Sequence, residues 1–90
     1  MYKVKQIHVR PTFINGDKST EFATLITKEF KTKKSAKEWI TSDIKSKRCV
    51  KNDMYDMGSY ELYTGFTSKT WFDEGAGEIR TEHYQYKLSK

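Results

Sequence analysis

One helical pattern, set between two strand-rich segments, most constrains what this chain can fold into. Four apolar residues recur at positions i, i+3, i+4 and i+8, which places them on a single side of an α-helix: Ala36, Trp39, Ile40 and Ile44. The residues before and after this stretch have the composition of strands, turns and loops. The sequence therefore predicts one amphipathic helix, from about residue 32 to about residue 47, packed on a β-sheet.

Two residues are candidates for the N-cap of this helix. Thr32 can act as the N-cap, its hydroxyl accepting a hydrogen bond from a backbone N–H of the first turn. Ser35 is the alternative, because Ser35 and Glu38 have the spacing of a capping box. We favour Thr32, because Phe30 then ends the preceding strand and the helix gains a turn.

Strand-like segments occupy most of the remaining chain. They cover residues 2–10, 20–30, 60–66 with a continuation at 70–72, and 78–88. Asn15-Gly16 predicts a hairpin turn, and residues 73–77 predict another. Residues 49–50 form a short strand or a buried anchor, and residues 52–58 are expected to be a loop. The predicted fold class is α+β, an antiparallel sheet from two β-hairpins with one helix packed on it, in the order β-β-α-(β)-β-β.

The first strand does not alternate cleanly between apolar and polar residues. Tyr2 and Val4 share one face, whereas Ile7 and Val9 share the other. Either a β-bulge near residues 5–6 corrects the alternation, or both faces of the sheet are partly covered. The returning strand is expected to carry three residues on a common face: Phe22, Thr24 and Ile26.

The length and composition indicate one small soluble domain over residues 1–90. A single cysteine, Cys49, excludes an intramolecular disulfide bond. The N-terminus lacks an apolar leader, and no run approaches the roughly 18 apolar residues of a membrane span. We therefore expect a cytoplasmic protein without a membrane partner.

Positive charge is concentrated in the first half of the chain. Residues 1–51 carry 13 Lys and Arg against 5 Asp and Glu, a net charge of +8, whereas residues 52–90 carry 4 against 7, a net charge of −3. This asymmetry favours an acidic partner, either nucleic acid or an acidic protein surface. Mutual attraction between two halves of one domain would give the same pattern.

The helix lysines are predicted to face solvent, because they fall away from the apolar stripe. Free N–H groups at a helix N-terminus favour anions, so lysines there suit contact with a phosphate, although a solvated charged surface has the same composition. We expect these cations to stay open and not to pair with acidic residues of the second half. The candidate phosphate contacts are Lys31, Lys33, Lys34, Lys37, Lys47 and Arg48.

Aromatic residues are dense between residues 60 and 86. Rings on a sheet face can stack on unpaired bases or anchor a protein partner, and cross-strand packing in the core is the alternative role. The acidic character of this half counts against a stacking platform, because a nucleic-acid groove also needs positive charge. The candidate aromatic contacts are Tyr63, Phe66 and Trp71.

Residues with catalytic chemistry are sparse. His8 and His83 lie on separate predicted strands and can meet only if those strands pair. Basic neighbours would lower the thiol pKa of an exposed Cys49, but the role of a small buried apolar residue fits it better. Paired metal-ligand spacing and a glycine-rich phosphate loop are missing. We therefore predict no enzyme activity, no cofactor and no metal site.

A strand-to-helix junction carries a resemblance to a known family. The junction is the run Lys28-Glu29-Phe30-Lys31-Thr32-Lys33-Lys34-Ser35-Ala36-Lys37-Glu38-Trp39-Ile40. It resembles the arm-type DNA-binding domains, the small β-β-β-α modules of tyrosine integrases from phages and mobile elements. The likeness covers about residues 20–46, Ser35 stands where the family usually has an acidic residue, and the hairpin of residues 58–88 has no counterpart. The resemblance implies a sheet with a helix behind it and DNA contact through the sheet.

Two functions follow as hypotheses. The first is a non-enzymatic nucleic-acid-binding module, with DNA as the expected ligand, that contacts the phosphate backbone through the basic helix and the loop after it. The alternative is a small phage or mobile-element accessory protein that binds and inhibits a host protein. A homodimer is compatible with either.

Overall fold

Two long hairpins build the framework of this protein. The computed structural model describes the backbone of residues 1–14, 17–73 and 78–90, and the side chains of residues 1–10, 21–68 and 81–90. Within this part of the chain, the sheet strands are β1 (Tyr2–Ile14), β2 (Asp17–Phe30), β3 (Lys51–Asp56), β4 (Tyr60–Asp73) and β5 (Glu78–Ser89). They form one antiparallel sheet in the order β2-β1-β5-β4-β3. The helix α1 (Lys33–Ser46) connects β2, at one edge, to β3, at the other.

The predicted α+β class and element order are confirmed. β1 joins the two hairpins by pairing with β5, from Lys3 opposite Ser89 to Val9 opposite His83. The predicted turn at residues 15–16 lies wholly outside the described residues, and the predicted turn at residues 73–77 lies largely outside them. β1 extends through Pro11 to Ile14, past its predicted end. Since Pro11 lies beyond the β1 segment that pairs with β5, it occupies an edge position, where a missing N–H is tolerated.

The third strand corrects one prediction. Residues 52–58 were expected to be a loop, but Lys51–Asp56 form β3, which pairs with β4 from Lys51 opposite Phe66 to Asp56 opposite Glu61. Most residues of β3 are exposed, as is usual for an edge strand. Its sequence therefore lacks the alternation of apolar and polar residues that identifies a half-buried strand. Cys49 precedes the strand and packs against the core as an anchor.

The irregularity of the first hairpin lies in β2. Gln6 pairs with Ile26 and Ile7 pairs with Thr24, so Leu25 is the extra residue of a bulge. β1 itself keeps its alternation along β5 without interruption. A register shift falls next to the predicted place, between Gln6 and Ile7, but the extra residue is on β2, so the faces of β1 are unchanged. Val9 lies on the face away from the helix and is only 3% exposed, although no described element packs on that face.

The bulge also changes the faces of β2. Ile26 lies opposite Gln6 on the helix side of the sheet, whereas Phe22 lies opposite Val9 on the other side. The prediction that Phe22 and Ile26 share a face is wrong, because the inserted residue reverses the alternation between them.

The core lies between α1 and the sheet, as the apolar stripe predicted. Its buried members are Val4, Tyr86 and Leu88 from the sheet and Ala36, Ile40 and Ile44 from the helix. Half-buried Trp39 extends this core, with its ring 5.9 Å from that of Phe30. The N-cap is Thr32, whose Oγ1 accepts a hydrogen bond from the backbone N–H of Ser35 at 3.1 Å. The preferred cap is confirmed.

Candidate nucleic-acid interface

The outer side of α1 forms a basic groove. Because Ala36, Ile40 and Ile44 point into the core, the residues on the opposite side of the helix are left in solvent. There they line a shallow groove of about 680 Å³, formed by Lys33, Lys34, Lys37, Glu38, Thr41, Ser42 and Lys45. We call this surface the helix groove.

Three lysines of the helix groove are open to a ligand. Lys34, Lys37 and Lys45 are exposed, and none forms an ion pair with a described side chain. Glu38 supplies the one carboxylate among the lining residues. Lys45 was not among the predicted contacts, although its spacing of 8 and 11 residues from Lys37 and Lys34 places it on the same side of a helix.

Lys33 differs from the expectation that all these lysines stay unpaired. Its ammonium lies 2.6 Å from a carboxylate oxygen of Glu61, whose other oxygen accepts a hydrogen bond from the Tyr63 hydroxyl at 2.6 Å. The hydrogen bond from Lys33, and then that from Tyr63, lowers the pKa of the Glu61 carboxyl. Lys37 adds a longer-range electrostatic effect. The start of β4 brings this carboxylate to the helix N-terminus, so Lys33 is partly neutralised within the domain.

The remaining predicted cations lie at the two ends of the helix. Lys31 is exposed just before α1. Lys47 is half-buried at the C-cap, with its ammonium 5.5 Å from the ring centroid of Tyr84. Arg48 is exposed and has a φ of 56°, which turns the chain out of the helix. The six predicted contacts therefore do not form one patch, since a helix of 14 residues separates its ends by about 21 Å.

The predicted aromatic contacts lie on different surfaces. Tyr63 is on the helix side of the sheet and packs against the core. Phe66 is on the opposite side, where its ring centroid lies 5.2 Å from that of His83. The side chain of Trp71 lies outside the described residues.

The two histidines lie on paired strands but on opposite faces. His8 stacks on Tyr84 with centroids 4.6 Å apart, and its buried Nε2 lies 3.2 Å from Glu82 Oε2 without a hydrogen bond to any described residue. His83 faces away from the helix, and burial lowers its pKa. β1 and β5 pair, which a catalytic site shared by His8 and His83 would require. However, side chains alternate along each strand, so the two rings lie on opposite faces of the sheet.

Cys49 acts as a packing residue. Burial, more than any neighbouring charge, raises the pKa of its thiol, which does not favour a reactive thiolate. A Cβ placed on Gly65 would lie 2.7 Å from its Sγ, so the thiol sits directly over the glycine backbone. The favoured role of an apolar packing residue is confirmed, because Cys49 is partly buried against the core.

No group of three His, Cys, Asp or Glu side chains in the described part of the chain is placed to hold a metal ion. Among the described residues, no helix is both long enough and apolar enough to cross a membrane.

No family model, curated protein or solved structure matches the chain. The resemblance to integrase arm-type domains therefore stays a prediction.

Proposed function

We propose that this protein is a non-enzymatic nucleic-acid-binding module that contacts the phosphate backbone through the helix groove. The observation that carries the proposal is the open set of Lys34, Lys37 and Lys45 on one side of α1, with Glu38 as the single acidic residue among them. Lys31 lies just before this helix and adds a further exposed cation.

The spacing of these cations suits a backbone more than a single small anion. Lys34 and Lys45 are 11 residues apart, which corresponds to about 16 Å along a helix axis. Lysine ammonium groups act as point charges without the fixed hydrogen-bond geometry of arginine. Contact of this kind fixes the position of the protein on the backbone and carries little sequence information. The expected ligand is therefore DNA without strong sequence preference.

Charge reversal on the helix groove tests this proposal. We would measure the affinity for a fluorescent DNA duplex at low salt for K34E/K37E and for K28E/K90E, a control with the same charge change at exposed positions outside the helix groove. The helix-groove variant should bind at least tenfold more weakly, whereas the control should lose far less affinity. Equal losses in the two variants, or a native protein that does not bind, would reject the proposal.

Exposed apolar residues at the sheet edge favour a second candidate, a protein partner. On β2, Phe22 is 65% exposed, Leu25 48% and Ile26 41%. Residues 22–27 contain no charge and lie on an edge strand, whose outer backbone groups can pair with an added strand. This surface fits the alternative of an accessory protein that binds and inhibits a host protein.

Nuclease-treated affinity capture separates the two candidates. A protein partner held at the β2 edge should be retained after nuclease treatment, lost with L25K and kept with K34E/K37E. Capture that depends on intact nucleic acid would instead reject the protein-partner function.

A further inference from the structure

The sheet has a second face, which the helix does not cover. Val4, Gln6 and Tyr86 point towards α1, so their neighbours along β1 and β5 project to the other side. Among the described elements, none packs on this side: α1 contacts β1, β2 and β5 from the helix face. We call the uncovered side the back face.

Aromatic rings lie along the back face. Tyr60 and Phe66 project there from β4, and His83 projects from β5 directly opposite Phe66. The rings of Phe66 and His83 are tilted by 35° at a centroid distance of 5.2 Å, and each is half-buried, so part of each ring faces solvent. Beside them is a shallow, mainly apolar pocket of about 410 Å³, lined by Val50, Lys51, Phe66, Thr67, Ser68 and Thr81.

Lysines accompany these rings. The ammonium of Lys51 lies 5.7 Å from the ring centroid of Phe66, and that of Lys87 lies 4.4 Å from that of Tyr60. The register also places exposed Lys3 and Lys5 on this face. The carboxylates here are Glu29, 3.9 Å from Lys3, and Asp53, 3.8 Å from Lys51. The described residues of the back face therefore carry four lysines against two carboxylates.

We propose that the back face binds single-stranded nucleic acid, with unpaired bases stacked on Phe66 and His83 and phosphates met by Lys51, Lys87 and Lys5. Flat rings beside cations offer both parts that a nucleotide needs, a surface for the base and a positive group for its phosphate. A protein partner would need no such pairing of rings with lysines. The proposal rests on the proposed function for its ligand class and adds a second surface with a different preference.

The state of His83 agrees with a stacking role. Burial lowers its pKa, which favours the neutral ring. Gln85 Nε2 lies 3.3 Å from His83 Nε2, and because an amide nitrogen only donates, this contact needs a neutral ring. The Gln85 amide also places a polar group beside the His83 ring.

The two surfaces should act independently, because the helix groove and the back face point in opposite directions. The helix groove meets phosphates in a duplex or a single strand alike. The back face needs free bases, which a duplex keeps stacked and paired. Removal of the bases from a single strand therefore separates the two contributions.

The experiment compares an oligothymidylate with an abasic oligonucleotide of the same length. The native protein should bind the oligothymidylate at least about fivefold more tightly, the lower end of what stacking of one base contributes. F66L should bring the two affinities to within about twofold. F30L, the same change on the helix side, should leave the difference in place. Circular dichroism would check that both variants fold, and H83Q, which removes the ring beside Phe66, replaces F66L if that variant unfolds.

The possible failures can be told apart. Equal affinities of the native protein for the two probes would overturn the back-face proposal, whatever the helix groove does. If the abasic strand has the same affinity for K34E/K37E as for the native protein, this result instead counts against phosphate binding by the helix groove. If F66L and H83Q both leave the ratio of the two affinities unchanged, the stacking site lies elsewhere and this assignment is rejected.

Discussion

At the scale of residues, three side chains distant in the sequence fix the helix to the sheet. The Tyr86 hydroxyl donates a hydrogen bond to Asp43 Oδ2 at 2.6 Å and accepts one from Gln6 Nε2 at 3.1 Å. Gln6 Nε2 also donates to the same carboxylate oxygen. Burial, followed by the bond to Asp43, raises the pKa of Tyr86 far above its ordinary value. No local pattern identifies this group, because its members come from β1, α1 and β5.

Removal of the Tyr86 hydroxyl should destabilise the domain. Y86F keeps the ring but leaves Asp43 and Gln6 each without one partner in a buried setting, at a cost of about 1–3 kcal/mol in the free energy of unfolding. Urea denaturation of the native protein and Y86F measures this difference. Y63F, which removes a hydroxyl bonded to Glu61, should cost less, because Glu61 keeps its ion pair with Lys33. A larger loss in Y63F would contradict the central role of Tyr86.

A methyl group at position 65 should destabilise the core at its contact with Cys49. The added Cβ would lie 2.7 Å from Cys49 Sγ and 3.3 Å from Ile44 Cγ2, so G65A should cost about 1–3 kcal/mol through overpacking. The double variant G65A/C49G removes the closest atom and should recover part of that loss. Thermal denaturation of the two single variants and the double variant measures the recovery, and strictly additive losses would contradict the contact.

His83 should make stability depend on pH below neutrality. Its pKa is below the ordinary value of 6.5 in the folded protein, chiefly through burial, and close to that value in the unfolded chain. Between the two pKa values the unfolded state binds more protons, so stability is complete above about pH 6.5 and is lost as the pH falls towards the folded pKa. Melting temperatures between about pH 7.5 and 5 should therefore fall more steeply for the native protein than for H83Q. Equal slopes would contradict this assignment.

At the scale of elements, the helix could be predicted closely and the third strand could not. The apolar stripe and cap of α1 are local, so its bounds and its buried side follow from residues 32–46 alone. β3 is an exposed edge strand whose existence depends on hydrogen bonds to β4, and its sequence carries no alternation. A bulge near residues 5–6 was one of the predicted alternatives, but its placement on β2, at Leu25, was hidden because it depends on the register with β1.

Thr32 should contribute measurably to helix stability. T32A removes the side-chain oxygen that accepts the Ser35 N–H, so the free energy of unfolding should fall by about 0.5–2 kcal/mol. S35A is the matched control, because it tests the rejected cap and leaves the Thr32 acceptor in place. Denaturant unfolding compares the two variants. A greater loss in S35A would mean that the helix begins at the capping box instead.

At the scale of the whole molecule, charge asymmetry is only partly neutralised within the domain. The basic first half and acidic second half meet at one described contact between the helix groove and the second hairpin, Lys33 with Glu61. Lys34, Lys37 and Lys45 remain unpaired among the described residues. The sequence indicated the excess of charge, but which cation would be paired depends on the strand order, set by long-range pairing between β1 and β5. Tyr63 and Phe66 lie on opposite faces of the sheet because they are three residues apart on β4, where successive side chains alternate.

The salt dependence of duplex binding tests the central claim most directly. If Lys31, Lys34, Lys37 and Lys45 each neutralise one phosphate, a plot of log binding constant against log salt concentration should have a slope of about −3 to −4. K34E/K37E should reduce the magnitude of that slope by about 2. A slope near zero, or one that K34E/K37E leaves unchanged, would contradict the claim that the open lysines of the helix bind a polyanion.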